Sequence, residues 1–125
     1  SSCAEVKGRK LYPHHEHKSC GLGKGAHKNL IMAKKMRVEL QNNNYSKEEC
    51  NIRSKPCTKE LLDWADVVYC VTQYYVGKLN KKFPGYEHKV YKLADKDIPD
   101  PHFNQKHNDT FQSTFSALQQ NPDLP

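Results

Sequence analysis

Two carboxylates near the C-terminal end of the chain are the first candidates for chemistry. Asp97 and Asp100 sit in the segment Asp97-Ile98-Pro99-Asp100-Pro101-His102-Phe103. Pro99 and Pro101 fix the backbone on both sides of Asp100, which helps to hold its carboxyl in one place. A positioned carboxyl group can give and take a proton in a reaction. Thiols are the second candidates. Cysteines stand at 3, 20, 50, 57 and 70, and a thiol becomes a nucleophile only where its surroundings favour the thiolate. His14, His15, His17 and Cys20 offer nitrogen and sulfur at short spacing. Adjacent residues on an extended chain point to opposite sides, however, so a solvated polar loop is expected there rather than a zinc site.

These groups need a scaffold. The chain has 125 residues, enough for one domain with one core. Mean hydropathy is low, at −0.93, so burial must be concentrated in a few elements, of which Val67–Val71 and Val90–Leu93 stand out. The net charge of +6 favours anionic partners. The basic residues are spread along the chain and not interleaved with aromatics, so nucleic acid is not the expected partner. An odd number of cysteines with no disulfide-framework spacing predicts reduced thiols in a cytoplasmic protein, with Cys50 and Cys57 the pair that could join. No apolar run approaches the roughly 18 residues of a membrane span.

Periodicity predicts a helix over 4–12 stopped before Pro13, a short strand from Lys18 into the Gly21–Gly23 turn, and a helix over 27–42. A loop then runs to Thr58, which caps a helix over 59–64. Buried strands are predicted at 67–72 and 89–94, helices at 73–83 and 109–120. Strands alternating with helices imply an open parallel sheet flanked by helices, an α/β fold. Ligands bind beyond the carboxyl ends of such strands, where the loop after Leu93 projects Asp97 and Asp100. Tyr74 and Tyr75 follow the first strand at the same end. They either wall a cleft and stack on an aromatic ligand or pack on the sheet.

Three segments in order resemble the low-molecular-weight protein tyrosine phosphatases. They are Leu61-Leu62-Asp63-Trp64-Ala65-Asp66-Val67-Val68-Tyr69, the strand Lys89–Leu93 with its Asp-Pro loop, and Ser19-Cys20-Gly21-Leu22-Gly23. The segment Phe111 to Leu118 is similar to that family's closing helix. The resemblance implies a three-layer α/β/α fold and hydrolysis of phosphotyrosine or a small aryl phosphate through a phosphocysteine, without metal or organic cofactor. It implies Asp100 as general acid and base, with Asp97 as its substitute. Ser19 would support the phosphate loop, and Arg9 is a further candidate phosphate ligand.

The start of the chain departs from that pattern, where Cys-x5-Arg and a hydroxyl residue should follow the central strand. In one register Cys3 and Arg9 are that pair, but Glu5 would then repel phosphate and raise the thiol pKa. In the other, Ala4-Glu5 opens the helix after the loop, and Cys3 belongs to the loop as nucleophile or its neighbour. The second keeps Glu5 out of the anion site and is preferred. A parallel sheet does not lose its middle strand without exposing backbone groups. Residues are therefore expected to be missing at the start and around position 3, the rival being a variant whose anion site has decayed. In that case the chain is a non-catalytic module that binds anions or phosphoproteins. Cys70, inside a strand, is expected to be a small buried hydrophobe.

Overall fold

The computed structural model describes residues 2–98. The first helix, α1, covers Ser2–Leu11. Cys3 and Val6, three apart, share its buried face, Glu5 lies in its first turn, and Arg9 and Lys10 lie in its last, complementing the helix dipole. It begins two residues before the sequence predicts and takes in Cys3. Gly8 admits a close neighbour: a Cβ there would come within 2.8 Å of His17 Nδ1, so the chain after Pro13 folds back against the helix.

The expected strand at Lys18–Gly23 contracts to a single parallel bridge, Gly21 to Pro56. That bridge sets Cys20 beside Cys57, Cα atoms 5.0 Å apart, and the two form a disulfide. The expectation of reduced thiols is thereby corrected for this pair, and Cys50 is not part of it. A separation of 37 residues gave no sign of it in the sequence; the pairing follows from the bridge, which brings the two within disulfide reach.

The long helix expected over 27–42 is also corrected. Lys24–Lys28 form a 3-10 turn ending at Asn29 in the left-handed region, φ 51°, and the chain then runs extended. Met32 N donates to Ile52 O (3.2 Å) and Ser54 N to Leu30 O (2.7 Å). The helix α2 is confined to Lys34–Asn42. The apolar residues Leu30 and Ile31, read as a helical face, belong to this extended segment.

The second half follows the sequence closely. Helix α3, Lys59–Trp64, starts at Thr58, whose hydroxyl accepts from Leu61 N. Strand β1, Val68–Cys70, leads to α4, Gln73–Lys82, capped in the same way by Thr72. Strand β2, Val90–Lys92, returns parallel to β1 with Val68 opposite Val90 and Cys70 opposite Lys92. This is a β-α-β crossover, the connection that parallel strands require. Both strands are shorter than predicted, but pairing continues beyond them: Leu93 N donates to Cys70 O (2.8 Å) and Ile98 N to Val71 O (2.9 Å).

Burial falls into three clusters. Cys3, Val6, Met32, Met36, Leu40, Tyr45, Cys50 and Ile52 make the first. Leu62, Cys70, Leu79 and Val90 make the second, against the sheet. Leu93 and Ile98 make the third, with Ala4 and Leu11 of α1 packed on them. Among the described residues, no helix is long and apolar enough to cross a membrane.

Candidate functional site

The carboxyl end of the sheet is organised around Asp97. Its carboxylate accepts from Gln73 N at the start of α4 (2.9 Å) and pairs with Lys92 Nζ (2.9 Å). These contacts, the Lys92 hydrogen bond first, hold its pKa below the ordinary value. Asp97 is thus fixed as an anion that ties the loop to α4, a poor arrangement for a group meant to donate a proton. Together with the bond from Ile98 N to Val71 O, it anchors the loop up to the residue before Pro99. Asp100, the expected acid, and the predicted helix at 109–120 lie outside the described residues.

Tyr74 and Tyr75, at the same end, have separate fates. Tyr75 packs against the second cluster, while Tyr74 is 68% exposed and meets the Tyr75 ring edge-on at 5.4 Å between centroids. Tyr74 is therefore the one accessible to a ligand.

On α1 the structure separates residues that the sequence grouped. Residues 2–11 form one continuous helix, so Cys3 and Arg9 are not the two ends of a loop. Six helical residues amount to about 9 Å of rise and about 240° of rotation. Cys3 is buried in the first cluster. Arg9 donates to Glu5 Oε2 at 2.7 Å and to His17 O at 3.2 Å. Ser19 Oγ donates to Glu5 Oε1 at 2.6 Å. Glu5, with 1% of its side chain exposed, thus brings Ser19 and Arg9 together as the shared acceptor. The preferred register had placed Glu5 in the helix and out of the anion site, without a partner, although its i,i+4 spacing to Arg9 was a signal for this pair.

The other thiols are unsuited to nucleophilic attack. Burial pushes the Cys70 thiol up to about 11 and raises Cys50, whose side chain is enclosed in the first cluster. Cys20 and Cys57 are joined. Among the described residues no cluster of three or more His, Cys, Asp or Glu has the arrangement of a metal site.

Two features escaped the sequence reading. Lys7, on α1, is fully buried, and burial lowers its pKa from 10.5 to about 8. An open cleft of about 420 Å³ lies beside α1, lined by Glu5, Arg9, Asn29, Asn51, Arg53 and Lys55 among others. Its parts are far apart in sequence and converge only because residues 51–57 pair with both 30–32 and Gly21.

No protein-family model and no curated protein matches the chain. Solved structures do. A protein tyrosine phosphatase from Entamoeba histolytica superposes with a TM-score of 0.81 at 17% identity, over 95% of this chain and 83% of that one. The Wzb protein of Vibrio vulnificus, solved with benzylphosphonate, gives 0.81 at 22% identity over 95% and 86%. A low-molecular-weight protein tyrosine phosphatase from Streptococcus pyogenes, SP-PTP, gives 0.81 at 19% identity over 95% and 80%. At such identities the likeness speaks to architecture: this chain has the three-layer α/β/α fold of the low-molecular-weight tyrosine phosphatases.

Proposed function

We propose that the protein is a phosphate-monoester hydrolase of the low-molecular-weight tyrosine phosphatase type, its 125 residues forming one phosphatase-like domain that acts on phosphotyrosine or a small aryl phosphate. The observation that carries this reading is the anchored loop at the carboxyl end of a phosphatase-like sheet. Asp97 is tied to α4 and Ile98 to Val71, just past β1, and Asp100 follows two residues later in the sequence.

In the reaction a thiolate attacks phosphorus, forming an S–P bond as the P–O bond to the phenol breaks. Asp100 gives its proton to the departing oxygen. Water then attacks the phosphocysteine, Asp100 takes up the water's proton, and phosphate and thiolate are released. Among the described thiols, Cys3 is the one in the first turn of a helix, where the dipole favours an anion. It is therefore the candidate for the attacking thiolate, and its burial in the first cluster is the observation that counts against that role. Ser19 and Arg9 support the helix start through Glu5, and Tyr74 flanks the substrate ring. The reading includes a cytoplasmic setting, in which local redox poise would govern the Cys20–Cys57 bond.

The test is hydrolysis of p-nitrophenyl phosphate by the protein and by the Asp100→Ala and Cys3→Ser variants. Asp100→Ala is expected to lower kcat by about 100-fold or more, the scale of a lost general acid. Loss of turnover in Cys3→Ser would assign the attacking thiolate to Cys3, and turnover retained in that variant would remove Cys3 from the reaction. The buried, helical position of Cys3 favours a second reading, a scaffold that binds phosphate without hydrolysing it. Binding of phosphate or vanadate with no turnover in the unaltered protein would establish that reading and end the first.

A further inference from the structure

The cleft beside α1 carries more positive charge than its structural bonds consume. Three cations line it, Arg9, Arg53 and Lys55, against one carboxylate, Glu5. That carboxylate is already engaged from behind by Arg9 and Ser19, and its side chain is almost wholly buried. Arg9 keeps about half of its side chain exposed. Arg53 spends one N–H on Asn29 O at 2.9 Å and has further donors in its guanidinium. Among the described residues, the ion pairs are those of Arg9, Lys59 and Lys92, so no carboxylate neutralises Arg53 or Lys55.

The floor is braced as well as charged. Ser54 N donates to Leu30 O (2.7 Å), Ser54 Oγ accepts from Leu30 N (2.9 Å) and donates to Gly25 O (3.2 Å). One residue on, Gly21 N donates to Lys55 O (2.9 Å) and Cys57 N to Gly21 O (3.1 Å), beside the disulfide. Residues 53–57 are thus held at both ends, so Arg53 and Lys55 project from a fixed backbone and little ordering is left for a ligand to drive. The side-chain amides of Asn29 and Asn51 add hydrogen-bonding capacity at the rim.

We propose that this cleft is an oxyanion-binding site, taking a phosphate or carboxylate group, separate from the catalytic end of α1. Arg9 lies seven residues beyond Ser2, about 10 Å along the helix. The inference does not depend on the hydrolase reading.

The experiment follows backbone amide shifts of the intact protein during titration with inorganic phosphate and, separately, with a short peptide of consecutive glutamates. Saturable shifts at Arg9, Arg53, Ser54 and Lys55 are expected in the millimolar range, weakening as salt is added. The double variant Arg53→Ala/Lys55→Ala is expected to bind about tenfold more weakly, the combined effect of one exposed and one half-buried charge. Lys55→Gln, which removes the charge and keeps a polar side chain, serves as the milder variant. A response to phosphate alone assigns a small oxyanion; a tighter response to the peptide assigns an acidic chain segment. Absence of shifts at these amides, or equal binding by both variants and the unaltered protein, overturns the proposal. Turnover of p-nitrophenyl phosphate by the variants is expected to be unchanged, which keeps this result apart from the fate of the hydrolase reading.

Discussion

Lys7 offers the sharpest stability test in the molecule. Its side chain is wholly inside the fold, and burial, partly offset by the nearby Cys3 thiol, lowers its pKa from 10.5 to about 8. At about 1.4 kcal/mol per pKa unit, that shift sets a ceiling of about 3.5 kcal/mol on the cost of keeping the ammonium in the folded state. Relaxation of the flexible stem toward water, and the bonds Lys7 makes, reduce this to about 2 kcal/mol. Because the folded value lies below the unfolded one, the penalty is present in full below pH 8. It is relieved as pH rises toward 10.5. Tyr45, Cys50 and Cys70 have raised values and act in the opposite sense at alkaline pH, so the unaltered protein alone is not diagnostic. The difference from Lys7→Met is. Urea midpoints measured from pH 7 to pH 10 should show the variant more stable by about 2 kcal/mol at the low end, with the gap closing toward the high end. A gap of constant size would refute the titration argument. A variant less stable throughout would show that the ammonium is held by its partners, not merely enclosed.

Other perturbations test the α1 network and the disulfide. Glu5→Gln removes the charge that Ser19 and Arg9 share and is expected to destabilise by about 2 kcal/mol, the range for hydrogen bonds to a buried ionised group; a urea midpoint within experimental error of the parent would contradict it. Opening Cys20–Cys57, whose loop spans 37 residues, should cost about 2–4 kcal/mol. Unfolding in the presence and absence of dithiothreitol measures this, and coincident curves would count against the bond.

What the sequence made legible was local. Thr58 stands before a run of helical spacing and serves as the expected cap; Thr72, read as the end of a strand, caps α4 in the same way. The β-branched runs around Val68 and Val90 pair as parallel strands because one helix of the right length separates them. Failures came where partners are remote. Leu30 and Ile31 fit a helical face, but pairing with residues 52–54 won over propensity. Cys20 and Cys57 gave no local hint of each other. The interior position of Lys7 contradicts its type and arises only from the packing around α1. Glu5 was legible as a partner of Arg9 by spacing alone, yet its contact with Ser19, fourteen residues away, required the fold-back over Gly8.

The Cys20–Cys57 link has a consequence for how the molecule comes apart. Six of the eight residues in the first buried cluster, from Met32 to Ile52, fall within the covalent ring that it closes. Only Cys3 and Val6 enter from outside. The β1–α4–β2 crossover buries mainly its own cluster, around Cys70, Leu79 and Val90, and meets the ring through Leu22 and Cys57. The ring is therefore expected to open as a cooperative unit. With the bond closed, amides of α2 and of the 52–54 segment would keep their protection while the crossover exchanges through partial opening. With it open, the ring would lose that protection and be the first to fray.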